Sequence, residues 1–204
     1  MRPRTLTAGL AAGVLTCAGA LTGCGSASTS TSSAIRTLEA EARPIGRGPR
    51  FQAPVRGRPL GRCGRRLGPR EAAHIELFAE NRVVLVAAGV GVRGPRRYAD
   101  GRIVSARCYG ALVTLDPTGV VLVRPRTHLT LAGLFRSWGQ PLSPTELAGF
   151  SAAAGQHVRI YVDGRLRRGN PRTVPLTRHA EIVLEVGPHV PPHRRYTFPP
   201  GPSS

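Results

Sequence analysis

The stretch that decides the fold is HIELFAENRVVLVA, residues 74–87. An apolar run at residues 74–79 is followed by Glu80-Asn81, a pair typical of a turn, and by a second apolar run over residues 83–87. This pattern predicts two strands joined by a tight turn. The related stretch HVRIYVDGR at residues 157–165 predicts a second, similar hairpin in the same sheet.

Elsewhere in the chain, short apolar runs bounded by Gly, Pro and Asp predict further strands. They cover residues 102–106, 111–115, 119–124, 165–167 and 180–186.

Two segments favour helices. Leu131, Leu134, Phe135 and Trp138 recur at helical spacing, with Thr130 as a candidate N-cap and Gly139 as the C-terminal stop. Ser143-Pro144-Thr145-Glu146 has the form of a capping box and predicts a second helix to about Ala153. We therefore expect an α+β fold with a small, mainly antiparallel sheet and one or two short helices. A β-grasp-like arrangement would fit this description.

The composition divides the chain into four parts. Residues 1–23 are apolar after a basic start, and residues 24–70 are rich first in Ser and Thr and then in Arg, Pro and Gly. Such a segment has few large apolar side chains to bury, so residues 24–70 are expected to form a disordered tether. Residues 71–198 are expected to form a single domain, followed by a tail at residues 199–204.

The N-terminus carries an export signal. Arg2 and Arg4 precede an uncharged apolar run from Leu6 to Leu21, which is short for a membrane-spanning helix of ~20 residues. The run ends in Leu21-Thr22-Gly23-Cys24, which resembles the lipobox of bacterial lipoprotein signal peptides. The resemblance implies cleavage before Cys24 and diacylation of its thiol, the double acyl signal that stable anchoring requires. The alternatives are a secretory signal cut at residues 18–20 and an uncleaved anchor.

The charge of the chain constrains its partners. All 29 basic residues are arginine, and removal of residues 1–23 lowers the formal net charge from +18 to 18 − 2 = +16. Export would separate the chain from the nucleic acid of the cytoplasm, so we expect no nucleic-acid partner. Anionic envelope polymers, lipid head groups or an envelope protein fit better, and a plain solvated surface is the alternative.

The chain has four cysteines, for which three fates are expected. Cys17 is removed with the signal peptide, and Cys24 takes lipid. Cys63 and Cys108 remain as an even pair in an oxidising compartment, where a disulfide is expected. A reactive or metal-bound thiol is the alternative.

Three stretches resemble an uncharacterised family of secreted bacterial proteins, many of them lipoproteins: FRSWGQPL at 135–142, PLTRHAEI at 175–182 and PPHRRYTF at 191–198. That family carries the patterns H-x-H-x-H and L-H-T-H-D, whose alternating histidines imply a metal site on one face of a sheet. In this chain only His74 of the first pattern remains, and Val113 and Leu115 replace the histidines of the second.

The functional expectation is a lipid-anchored protein of the cell membrane, facing outside the cytoplasm, with a non-catalytic binding domain. The chain has no G-x-S-x-G elbow and no phosphate-binding G-x-x-x-x-G-K-[ST] motif, so neither an enzyme nor a cofactor is predicted. The alternative is a copper- or zinc-binding envelope lipoprotein that uses His74, Asp116 and His179.

Overall fold

The computed structural model describes residues 43–190 and 196–198. The predicted signal peptide, Cys24, residues 25–42 of the tether and the tail at 199–204 lie outside the described residues. The strands are β1 (Glu71–Ala79), β2 (Arg82–Val84), β3 (Val92–Ala99), β4 (Arg102–Tyr109), β5 (Leu112–Val113), β6 (Val120–Val123), β7 (Leu142–Ser143), β8 (Glu146–Leu147), β9 (Phe150–Ser151), β10 (Arg159–Val162), β11 (Arg165–Arg167) and β12 (Glu181–Val186). Helix α1 spans Leu131–Trp138, and a 3-10 turn spans Pro171–Thr173.

The main sheet has seven strands in the order β11-β10-β12-β1-β6-β5, with β2 also paired to β1. β1 runs through its centre: it pairs with β12 along one edge, and on the other edge with β6 at its start and β2 at its end. The β1–β12 pair is parallel, and the remaining pairs of this sheet are antiparallel. The two predicted hairpins, β1–β2 and β10–β11, therefore do lie in one sheet.

The expected α+β class is wrong. The structure is mostly β, with 38% of the described residues in strands, 7% in helices and several sheets. Besides the main sheet there are a two-stranded sheet, β3–β4, and a three-stranded sheet, β7–β8–β9. The chain between the hairpins, which was expected to supply helices, is used largely for these extra strands.

The second predicted helix is absent, and its residues form the β7–β8–β9 sheet. The Ser143 hydroxyl accepts the amide of Thr145, two residues on, which makes a local turn instead of a helix cap. Leu147 and Phe150 are buried, and the ring of Phe150 lies 4.8 Å from that of Phe51. Burial of these side chains against a segment distant in sequence outweighs the helical signal.

Helix α1 spans the predicted residues, and Gly139 ends it in the left-handed conformation at φ 79°. Thr130 occupies the N-cap position without a side-chain capping hydrogen bond, while the amide of Leu131 bonds the carbonyl of Val174. Leu131, Leu134, Phe135 and Trp138 all face the core. Tertiary packing, more than capping, therefore holds this eight-residue helix.

The main sheet is covered on both faces, because alternate residues of β1 point in opposite directions. Ala73, Ile75 and Leu77 belong to the larger core, which includes α1. Ala72 belongs to a second core, to which the β3–β4 ribbon contributes Val92 and Ile103. His74 and Glu76 share the face of Ala72, and this places them on the sheet face beside the second core.

Residues 43–70, assigned by composition to the disordered tether, lie against the domain. Phe51 and Ala53 are buried in the larger core, and the amide of Arg56 bonds the carbonyl of Trp138. Gly57 passes so close to α1 that a Cβ there would lie 2.3 Å from the carbonyl oxygen of Arg136. Backbone hydrogen bonds and the close approach of glycine hold this segment, and neither was visible in its composition.

The predicted disulfide between Cys63 and Cys108 is confirmed, with a Cα–Cα distance of 5.5 Å. It ties the arm at residues 43–70 to β4.

Strand β3 was not predicted, because Gly94-Pro95 and several arginines interrupt its apolar pattern. Within residues 43–190 and 196–198, no helix has the length and apolarity needed to cross a bilayer.

Candidate functional site

The candidate site is a cluster of three side chains on one face of the main sheet, His74, Glu76 and Glu181. The parallel register places Glu181 of β12 beside His74 of β1, and Glu76 follows His74 on the same face. A ring nitrogen of His74 and one carboxylate oxygen of each glutamate lie within 4.8 Å of one another. The sheet register, with no local motif, assembles the cluster.

His74 is 5% exposed, and its two ring nitrogens have different surroundings. Nε2 lies 3.1 Å from the carbonyl oxygen of Thr118, whereas Nδ1 is buried without a hydrogen-bond partner. A carbonyl oxygen can only accept, so Nε2 carries the proton and Nδ1 presents a lone pair. The ring of Tyr196 stacks on that of His74, with 3.9 Å between centroids.

Burial lowers the pKa of His74, and the hydrogen bond to Thr118 only partly opposes this shift. The imidazole is therefore held neutral at pH 7, the state in which it can act as a ligand.

The turn that holds Thr118 is fixed by its neighbours. Both the amide and the hydroxyl of Thr118 donate to Asp116, which also pairs with Arg102. Gly119 has φ 82°, and a Cβ there would lie 2.3 Å from the carbonyl oxygen of Ile75. This glycine lets the turn approach β1 closely enough for Thr118 to reach His74.

Glu76 is the electrostatically strained member of the cluster. Burial, and secondly the charge of Glu181, raise the pKa of Glu76 to about 7. Two carboxylates on neighbouring strands of a partly desolvated face disfavour each other's ionised forms. A cation bound between the two carboxylates would relieve this repulsion.

A cavity of about 290 Å³ opens beside the cluster. Its walls include His74, Glu76, Arg43, Pro117 and residues of β2. Its volume is close to the lower end for small-ligand pockets, about 300 Å³. His74 and Glu76 of the cluster therefore face a space that a small ligand or ion can enter.

Of the three predicted metal-binding residues, only His74 is in the cluster. Asp116 lies at the turn and pairs with Arg102, and the ring of His179 stacks on Phe198 at 4.7 Å. Sequence reasoning missed Glu76 and Glu181. Strand alternation after His74 could have found Glu76, whereas Glu181 required the pairing of β1 with β12.

Replacing Glu76 by glutamine is expected to stabilise the fold at pH 8 by on the order of 1–3 kcal/mol relative to the native chain, and much less at pH 5. The folded pKa lies above the usual 4.5, so between about 4.5 and 7 the folded state retains a proton that the unfolded state releases. Stability from this group is thus lost as the pH rises through that window. Urea unfolding in EDTA at both pH values measures the difference.

Glu80→Gln makes the same chemical change on the exposed turn after β1 and is the matched control. The raised pKa of Glu76 is contradicted if the stabilisation by Glu76→Gln does not increase from pH 5 to pH 8 by more than that by Glu80→Gln.

One imidazole nitrogen and two carboxylates form a donor set suited to a divalent cation. Among residues 43–190 and 196–198, no hydroxyl or thiol is hydrogen-bonded to His74, since Nε2 contacts the carbonyl of Thr118 and Nδ1 has no partner. No protein-family model, curated protein or solved structure matches this chain.

Proposed function

We propose that this chain is a lipoprotein, diacylated at Cys24 and held at the outer face of the cell membrane, whose domain acts by binding and not by catalysis. The anchoring part is supported by the order of signals at the N-terminus: Arg2 and Arg4, the apolar run from Leu6 to Leu21, and Gly23-Cys24. The confirmed disulfide is consistent with an oxidising compartment.

The binding part is carried by one observation, the cavity beside His74. The buried His74 and the half-buried Glu76 line it together with apolar residues of β1 and β2, which is the usual composition of a ligand site. No cofactor is needed for such a role. The ligand reaches this cavity from outside the cytoplasm in the proposed topology.

The surface charge supports an anionic environment for the domain. Arg93 and Arg97 on β3 and Arg165 and Arg167 on β11 are exposed, and the whole chain has a formal net charge of +18. Anionic envelope polymers or an acidic surface of an envelope protein would be attracted to these side chains, over the ~8–10 Å range that salt allows.

Cys24→Ser is expected to release the protein from the membrane fraction and to abolish labelling by a radioactive fatty acid, because the hydroxyl cannot be thioether-linked to diacylglycerol. Fractionation and labelling in the producing bacterium measure both effects. Cys17→Ser changes the other cysteine of the N-terminal region and should leave anchoring and labelling intact. Persistent membrane association of Cys24→Ser without label would instead establish an uncleaved anchor.

A further inference from the structure

We propose that His74, Glu76 and Glu181 bind one divalent cation of the zinc type, through Nδ1 of His74 and one carboxylate oxygen of each glutamate. The inference rests on the proposed function in taking the domain to act by binding, and it names the class of ligand. It replaces Asp116 and His179 as ligands by two glutamates that the fold brings to His74.

The spacing of the donors suits a small cation. A ring nitrogen of His74 and one carboxylate oxygen of each glutamate lie within 4.8 Å of one another. A tetrahedral zinc site with bonds of about 2.1 Å holds its ligand atoms about 3.4 Å apart. Glutamate has three rotatable side-chain bonds, so Glu76 and Glu181 can close this difference while the strands keep their register.

The orientation of His74 is that of a metal ligand. A ligating histidine usually donates its other ring N–H to a carbonyl or carboxylate, which fixes the tautomer and points the lone pair at the metal. Here Nε2 donates to Thr118 at 3.1 Å, and Nδ1 is buried without a partner. A buried acceptor without a partner is unfavourable because it has lost its hydrogen bond to water, and a bound cation would remove this penalty.

The turn behind His74 supplies the supporting contacts. Asp116 accepts the amide and hydroxyl of Thr118 and so positions the carbonyl that holds the imidazole. On the other strand, the amide of Glu181 donates to the carboxylate of Asp163 at 3.0 Å. Asp116 and Asp163 are thus positioning residues, each one step away from a ligand.

The chemistry of the donors selects the class of cation. Imidazole with two carboxylates suits zinc and similar divalent ions, whereas cuprous copper prefers thiolates and thioethers. Cys63 and Cys108 are joined in the disulfide, and the chain's one methionine is Met1. Three protein ligands leave a coordination position for water or for a donor entering the neighbouring cavity.

The competing account is that an arginine alone neutralises the two carboxylates, since Arg43 lines the same cavity. The two accounts differ in one measurable result. A cation site binds zinc stoichiometrically, whereas carboxylates neutralised by a guanidinium do not.

The test uses the untagged full-length chain in detergent, stripped with EDTA and titrated with ZnCl₂ in a calorimeter at pH 7.5. We expect one zinc per chain and a rise in melting temperature with zinc. Glu76→Gln, Glu181→Gln and His74→Ala should each weaken zinc binding at least about tenfold and reduce that rise. The matched control is His128→Ala, an exposed histidine outside the cluster, which should bind as the native chain does.

The two glutamine variants keep the size of the side chain, so they remain informative if His74→Ala fails to fold. The proposal is overturned if the native chain binds less than about a tenth of an equivalent, or if both glutamine variants bind zinc as the native chain does. Either failure would leave anchoring through Cys24 untouched, because membrane release by Cys24→Ser is measured independently of zinc.

Discussion

Trp138→Ala is expected to lower the free energy of unfolding by about 3–5 kcal/mol, the range for large aromatic side chains removed from a core. Trp138 is 0% exposed at the last position of α1, and its ring lies 5.7 Å from that of Phe135. Its indole Nε1 also donates to the carbonyl of Ala53 at 3.0 Å. The substitution therefore leaves a cavity and an unpaired carbonyl, and it loosens the arm at residues 43–70. Equilibrium denaturation with urea measures the loss.

Leu166→Ala removes a large apolar side chain that is 57% exposed on β11, and it should change stability by less than about 0.5 kcal/mol. Trp138→Phe separates the loss of packing from the loss of the hydrogen bond to Ala53. It keeps most of the buried aromatic volume but lacks the N–H donor. A loss below about 1 kcal/mol for Trp138→Ala would contradict the packing described for α1.

Removal of the disulfide should have an effect of similar size. In the double variant Cys63→Ala, Cys108→Ala, the free energy of unfolding is expected to fall by about 4 kcal/mol, the loop entropy that the bridge removes from the unfolded chain. The bridge spans a sequence separation of 45 residues, so the unbridged unfolded chain gains considerable freedom. The same bridge joins the arm to β4, where the amide of Gly64 bonds the carbonyl of Tyr109 at 3.0 Å. Thermal and urea unfolding with and without reductant measure the effect.

The double variant is its own control for reductant. Its stability should not change on adding reductant, while the native chain should fall to the level of the variant. A native chain that is equally stable reduced and oxidised would show that the bridge adds nothing to folding.

Local pattern was sufficient for α1 and for the first hairpin. The spacing of Leu131, Leu134, Phe135 and Trp138 predicted α1, and the stretch at residues 74–87 predicted β1, its turn and β2. The local pattern was misleading at residues 143–153, where burial of Leu147 and Phe150 outweighed a helix-start signal. Capping contributes about 1 kcal/mol, and burial of two large side chains contributes more.

The site was predicted only in part. His74 was recognised through the resemblance to the histidine-rich family, and the ligand set drawn around it, Asp116 and His179, is not the set that the fold gathers. Glu76 lies two residues away on the same strand, so alternation alone could have indicated it. Glu181 is distant in sequence, and only the pairing of β1 with β12 brings it to His74.

The sequence by itself determined what depends on neighbouring residues: the strand hairpins, α1 and the number of cysteines available to pair. The tertiary structure decided what depends on distant residues: the mostly β class, the packing of residues 43–70 on the domain, and the meeting of His74, Glu76 and Glu181. The physical reason is that backbone hydrogen bonds and burial between segments far apart in the chain outweigh local propensities of a few tenths of a kcal/mol per residue.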